Sequence, residues 1–193
     1  GGLAIAAQRR RRSLEDLMKN TPADGLIGGV GEVNNHLFGS ELTRCMGISY
    51  DYTVLAGTQG YLNHKKTDRL IELAHDQDLP IVLFAEGGGG RPGDVDAVTA
   101  SGLDVSTFRN FAALSGSQPR IGIAAGRCFA GNAVLFGCCD ITIATQNSNI
   151  GLGGPAMIEG GGLGSFKPED IGPIDVQSVN GVVDLAVEDE AEA

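Results

Sequence analysis

Residues 120–140, RIGIAAGRCFAGNAVLFGCCD, constrain the fold of this chain more than any other segment. An apolar run at 120–125 is typical of a strand, Gly126 indicates a turn, and the small apolar residues that follow predict a buried helix. A helix that opens on Ala130 and Gly131 directs free backbone N–H groups, at the positive end of its dipole, into space that no bulky side chain fills. Such a corner can hold an oxyanion, although small residues also allow a helix to pack closely on a sheet.

A second unit of the same kind precedes this stretch. Residues 63–77 have the apolar spacing of a helix, and residues 81–85 have the composition of a buried strand. The β-branched and aromatic residues of 26–34 and 43–55 predict a hairpin or meander before them. A strand, a helix and a buried strand in this order are typical of a right-handed crossover onto a parallel sheet. We therefore expect an α/β fold built as a spiral of such units.

The remaining elements are predicted from shorter patterns. Residues 9–18 combine four arginines with helical apolar spacing, which we interpret as a helix with a solvated charged face. We further expect a loop and helix at 95–116, a strand at 140–145, a short helix at 155–158, a polar helical turn at 167–172 and a strand at 181–187.

A run of glycines follows the buried strand at 81–85. Residues 86–94, EGGGGRPGD, stand at its carboxyl end, which is where parallel α/β folds place their ligands. Four consecutive glycines cost backbone entropy that a purely structural turn does not require. We interpret this loop as functional, and a flexible surface loop is the alternative.

Composition excludes several classes of function. The net charge of −10 argues against a nucleic-acid-binding surface. The four cysteines, at positions 45, 128, 138 and 139, have no CxxC spacing and predict reduced, buried thiols in a cytoplasmic protein without a metal site. No apolar run approaches the length of a membrane span. Because the chain begins at Gly1 without Met, we expect it to be part of a longer protein.

Four segments, in this order along the chain, carry a family resemblance: YDYTVLAGT at 50–58, the strand and loop at 81–91, CFAGN at 128–132 and GVVDLAVEDEAEA at 181–193. Together they resemble the amino-terminal half of the carboxyltransferase component of biotin-dependent acyl-CoA carboxylases, within the crotonase-like superfamily. The resemblance extends from about residue 10 to residue 193. It implies a ClpP/crotonase fold, a spiral of β-β-α units. It also implies that residues 1–193 form the amino-terminal carboxyltransferase domain, with the carboxyl-terminal one absent.

The resemblance also implies site residues. The family's CAGGA-like motif falls on 128–132, so that Ala130 and Gly131 would donate backbone N–H groups to the oxygen of the thioester enolate. Alanine in place of the family's first glycine keeps this donor, provided that the position does not need a positive φ. The family's DSGGAR-like loop falls on 86–91. Its substrate-binding residues, which would form a wall over the acyl group and carboxybiotin, are Gly88, Gly89, Gly90 and Arg91.

The reaction implied is carboxyl transfer from carboxybiotin to the α-carbon of an acyl-CoA. Biotin would be the cofactor and would supply the base, so that no Ser/His/Asp set is expected in the protein. The implied partners are the carboxyl-terminal carboxyltransferase half, biotin carboxylase and biotin carrier domains or subunits, in a homo-oligomer. The fragment would be inactive alone, and its acyl chain length stays open.

Two alternatives remain open. A crotonase-type enoyl-CoA hydratase or isomerase would need acidic side chains in the pocket, for which Glu86, Asp94 and Glu159 are the candidates. A non-catalytic assembly module would dock other carboxylase domains without its own chemistry. The three histidines lack a matching nucleophile and are interpreted as surface or structural residues: His36, His64 and His75.

Overall fold

A six-stranded sheet forms the frame of the protein, whose computed structural model describes residues 4–96 and 105–193. Part of the segment predicted as loop and helix at 95–116 lies outside these residues. The strands are β1 (Leu26–Glu32), β2 (Arg44–Tyr50), β3 (Ile81–Phe84), β4 (Arg120–Ala124), β5 (Arg127–Phe129), β6 (Ile141–Thr145), β7 (Asn149–Gly151) and β8 (Leu185–Val187). The helices are α1 (Leu14–Asn20), α2 (Asn35–Phe38), α3 (Tyr61–Asp76), α4 (Thr107–Ala113), α5 (Gly131–Gly137), α6 (Pro155–Gly160) and α7 (Ile174–Val179).

The main sheet has the order β1-β2-β3-β4-β6-β8. Strands β1 and β2 form the predicted antiparallel hairpin, and every later pair in the sheet is parallel. The carboxyl ends of β2, β3, β4 and β6 therefore meet at one edge. Two short strands, β5 and β7, pair in parallel as a second small sheet. The predicted α/β fold is confirmed.

Helices α3 and α5 cover one face of the main sheet, and α4 packs on both of them. Alternate strand residues such as Ile48, Leu83 and Ala124 point into this layer and are at most 1% exposed. Gly122 on β4 allows the close approach of α5, because a Cβ there would lie 3.0 Å from Phe136 of that helix. The small residues of the 120–140 segment thus do serve close packing, as well as forming the corner described below.

Several elements differ from the sequence prediction. Helix α1 begins only after Ser13, whose side chain accepts a hydrogen bond from the Asp16 N–H, so the arginines at 9–12 precede the helix. Residues 181–187 contain a strand of only three residues, because α7 occupies 174–179 and Gly181 then turns the chain with φ 75°. Strand β5 was not predicted either, since three residues carry no readable periodicity.

The four cysteines are free thiols. Cys45 and Cys128 are buried, as predicted, whereas Cys138 and Cys139 are only partly buried. Burial raises the pKa of Cys139 to about 12 and raises that of Cys128 well above its ordinary value, so both remain protonated at neutral pH. Among the helices that the structure describes, none has the length and apolar character needed to cross a membrane.

Candidate functional site

The connection from β5 to α5 forms a sharp corner at Ala130. This residue has φ 52° and ψ −121°, which is a conformation that residues with a side chain rarely adopt. Its N–H donates to the Gly151 carbonyl of β7 at 2.9 Å. This donor is therefore already used within the protein. The N–H of Gly131, the first residue of α5, has no protein acceptor within 4–96 and 105–193. Of the two predicted donors, Gly131 is therefore the one that offers a free N–H.

The wall opposite Gly131 is Gly89 of the glycine loop. Gly89 has φ 83°, and a Cβ there would overlap with the Ala130 Cβ and lie 3.3 Å from the Gly131 nitrogen. Because position 89 carries no side chain, no Cβ from the glycine loop covers the Gly131 nitrogen. Two glycines distant in sequence thus lie close to each other at this corner.

The other walls of the corner are neutral. A Cβ at position 131 would overlap with Gln59 Oε1 and would lie 3.2 Å from Phe108 Cζ. Gln59 is 3% exposed, and its Nε2 donates to the Tyr50 hydroxyl at 3.2 Å. Burial raises the pKa of Tyr50 to about 12, so this partner is also uncharged at neutral pH. A backbone donor among neutral walls is suited to stabilising a developing oxyanion, because few competing charges or waters screen it.

The glycine loop is anchored on several sides. The Gly87 N–H donates to the backbone carbonyl of Arg127 in β5, and the Gly88 N–H donates to the Ala56 carbonyl. The Gly89 carbonyl accepts from the Gln59 N–H at 2.7 Å. These contacts do not favour the alternative of a flexible surface loop.

The Arg91 side chain points into the protein. It is 4% exposed, forms ion pairs with Asp24 and Asp94, and donates to the Thr58 carbonyl at 2.7 Å. Its guanidinium group thereby ties the end of the glycine loop to the turns before β1 and α3. Asp94 in turn accepts from the Tyr61 N–H at 2.9 Å, at the start of α3.

The three acidic candidates for hydratase chemistry lie in different surroundings. Glu86 accepts a hydrogen bond from the Ala125 N–H. Asp94 is held by Arg91 and the start of α3, and Glu159 is exposed on α6. Two of these carboxylates are thus engaged in structural hydrogen bonds, which does not favour an acid/base role for them.

His64 supports one wall of the corner. Its Nδ1 lies 2.9 Å from Thr107 Oγ1. Its ring packs edge-on against the Phe108 ring, with 5.8 Å between the two ring centroids. Burial lowers the pKa of His64, so the ring is neutral at neutral pH. His36 and His75 are exposed. All three positions agree with the predicted surface or structural roles.

Sequence reasoning missed two residues of the site. Gln59 forms a wall, and Asn132, which is fully buried, accepts a hydrogen bond from the Gly89 N–H. The available signal for Asn132 was its place in CFAGN, where the family motif has alanine. Among the residues that the structure describes, no cluster of three or more His, Cys, Asp or Glu side chains could hold a metal ion.

Comparison with known families agrees with this geometry. The carboxyl transferase domain family matches residues 4–193. The chain belongs to this family. A solved single-chain, multi-domain long-chain acyl-CoA carboxylase is 61% identical to this chain and superposes with a TM-score of 0.93, over 100% of this chain and 19% of its own. The biotin-dependent long chain acyl-coenzyme A carboxylase beta4 subunit of Mycobacterium tuberculosis is 32% identical, over 88% of this chain and 31% of the subunit.

A more distant neighbour has the same fold. The transcarboxylase 12S hexamer, solved with methylmalonyl-coenzyme A, is 25% identical and superposes with a TM-score of 0.75, over 98% of this chain and 36% of its own. The carboxyl transferase domain described here therefore has the predicted crotonase-like fold. It spans about a third of the length of the curated relatives that it matches.

Substitution of Gly89 tests the open wall. Gly89→Ala should lower the thermal stability of the protein more than Gly116→Ala. Gly116 is the matched control, since it has φ 81° and a Cβ there would meet nothing within 4 Å. Both changes incur the cost of a positive φ, about 1–2 kcal/mol, and only Gly89→Ala adds a steric overlap. Equal losses in the two variants, measured by thermal unfolding, would show that Gly89 does not pack against Ala130.

Substitution of Ala130 tests the strained corner. Ala130→Gly should raise the free energy of unfolding by about 1 kcal/mol, because relief of a strain of about 1–3 kcal/mol exceeds the entropic cost of glycine. Ala133→Gly, inside α5, should instead lower it by about 1 kcal/mol. A destabilised Ala130→Gly protein in urea unfolding would argue against the positive φ.

Proposed function

We propose that this chain is the acyl-CoA-binding half of a biotin-dependent carboxyltransferase, which moves a carboxyl group from carboxybiotin to the α-carbon of an acyl-CoA. The observation that carries the proposal is the Gly131 N–H, which has no acceptor among the described residues and which no side chain from position 89 covers. Membership of the carboxyl transferase domain family supports it.

The proposed task of the corner is to stabilise the thioester oxygen. Removal of the α-proton converts the thioester carbonyl into an enolate, whose oxygen gains negative charge. A donor that is fixed in advance favours this charged form over the neutral carbonyl, and loss of one such donor costs about 10²–10³ in rate. We assign the donation to the Gly131 N–H. The backbone conformation of Ala130, with φ 52° and ψ −121°, sets the direction of that N–H.

The glycine loop has two proposed roles. Gly88, Gly89 and Gly90 form the wall along which the acyl group lies, and Arg91 positions this wall through its ion pairs with Asp24 and Asp94. A Cβ at position 90 would meet nothing within 4 Å, so glycine leaves room there beside the acyl chain. Together with the 61% identity to a long-chain acyl-CoA carboxylase, this supports a long-chain acyl-CoA as substrate.

The remaining groups of the reaction would come from elsewhere. Carboxybiotin supplies the carboxyl group and the base when it is bound. The residues that hold its ureido group are proposed to lie on the carboxyl-terminal carboxyltransferase half, since the walls of this corner are assigned to the thioester. Biotin carboxylase and biotin carrier domains are the further proposed partners. Multi-domain and hexameric organisation of the neighbours supports a larger, oligomeric assembly.

Removal of the Gly131 N–H tests this function. In the full-length enzyme, Gly131→Pro should lower kcat/KM for acyl-CoA carboxylation by about 10²–10³ relative to Gly131→Ala. Proline is tolerated at the first position of a helix, and both variants place a Cβ against Gln59. The pair differs in the donor and in the proline ring, which also restricts the backbone of Ala130, so circular dichroism and thermal unfolding check that both variants are folded and equally stable. Rates within about tenfold of each other would contradict the assignment of the donor.

A further inference from the structure

Asn132 is the second residue of α5 and directly follows the proposed donor. Its side chain is 0% exposed, although asparagine is a residue that seldom lies in a protein interior. We propose that Asn132 is a positioning residue, whose amide fixes the glycine loop at the distance from Gly131 that the thioester oxygen requires. This inference rests on the proposed function of the corner.

One end of the amide holds Gly89. The Oδ1 atom of Asn132 accepts the Gly89 N–H at 2.9 Å, within ordinary hydrogen-bond range. Gly89 is the residue at which a Cβ would lie 3.3 Å from the Gly131 nitrogen. The hydrogen bond therefore acts directly on the wall of the proposed site.

The other end of the amide holds two further segments. The Nδ2 atom of Asn132 lies 3.4 Å from the Gly57 carbonyl and 3.4 Å from the Glu86 carbonyl, so its two hydrogens reach both. Gly87 makes room for it, since a Cβ at that position would overlap with Nδ2. A single buried amide thus satisfies three backbone groups from two turns.

The position of Asn132 in α5 connects these hydrogen bonds, which together clamp the glycine loop, to the proposed reaction site. Gly131 and Asn132 are consecutive residues of α5, so their backbones move together. Gly87 is bound to β5 through its own N–H and carbonyl, whereas Gly89 lies beyond that ladder. The Asn132 side chain is the direct link from Gly89 to the helix that carries Gly131. Loss of this link would let the two sides of the corner separate, and a misplacement of about 1 Å can cost 10²-fold in rate.

The choice of asparagine fits the task. Both an acceptor and a donor are needed, and a neutral amide supplies them without placing a charge beside the oxyanion. The alanine of the motif that CFAGN resembles could supply neither. This chain therefore holds its glycine loop with a side chain at a position where that motif has only a methyl group.

The test compares Asn132→Ala with Asn149→Ala in the full-length carboxylase. Asn149 is the matched control, since it is 6% exposed and its Nδ2 donates to the carbonyls of Glu169 and Ile171, at 3.0 and 3.1 Å. Neither of these hydrogen bonds reaches the glycine loop. Each variant is assayed for kcat/KM of acyl-CoA carboxylation and for affinity towards a CoA thioether, an analogue in which a methylene group replaces the thioester carbonyl.

A positioning role predicts a specific pattern. Asn132→Ala should lower kcat/KM at least tenfold more than Asn149→Ala, while thioether affinity stays within about threefold of wild type, because that analogue has no oxygen for the corner to bind. Equal kcat/KM in the two variants would overturn the inference. A wild-type enzyme without acyl-CoA carboxylation would instead overturn the proposed function.

Hydrogen exchange tests the clamp without any activity. In Asn132→Ala, the amides of residues 86–91 should exchange faster than in wild type, since the Gly89 N–H loses its acceptor. In Asn149→Ala the same segment should exchange at the wild-type rate. Unchanged exchange of this segment in Asn132→Ala would show that the amide does not hold the loop.

Discussion

The hydrogen bond from the Ala130 N–H to the Gly151 carbonyl decides the geometry of the corner. It closes the small sheet of β5 and β7 at the point where the chain must turn into α5. The N–H of Ala130 is committed to β7 and Ala130 adopts a positive φ, while the N–H of the next residue, Gly131, has no protein acceptor among the described residues. The strain at Ala130 and the free donor at Gly131 are two consequences of the same strand pairing.

Around the Gly131 N–H, the site consists of glycine residues and neutral amide side chains. Gly89 and Gly131 carry no side chains that would overlap with Ala130 and Gln59, whereas the amides of Gln59 and Asn132 form hydrogen bonds with the Tyr50 hydroxyl and the Gly89 N–H. Charged groups such as Arg91 and Asp94 are paired with each other further along the glycine loop. This arrangement suits a reaction in which the protein stabilises charge on the substrate and does not itself supply the base.

Much of the fold could be predicted from local patterns. Alternation between apolar strands and amphipathic helices indicated the parallel sheet, and the glycines at 88, 89 and 131 marked where the backbone is approached closely. The positive φ of Ala130 and the burial of the Arg91 side chain could not be predicted, because each depends on a partner elsewhere in the chain. That partner is Gly151 for Ala130 and Asp24 for Arg91. Helix α7 was missed for a similar reason, since its Gln177 side chain is held by the carbonyl of Ile150.

The most direct test of the account is the infrared carbonyl stretch of an acyl-CoA labelled with carbon-13 at the thioester carbonyl, bound to the full-length enzyme. A hydrogen bond from the Gly131 N–H polarises that carbonyl. The account predicts that its stretch shifts to lower frequency on binding to wild type and that most of this shift is lost in Gly131→Pro. The same bound frequency in both proteins would contradict the assignment of Gly131 as the donor to the thioester.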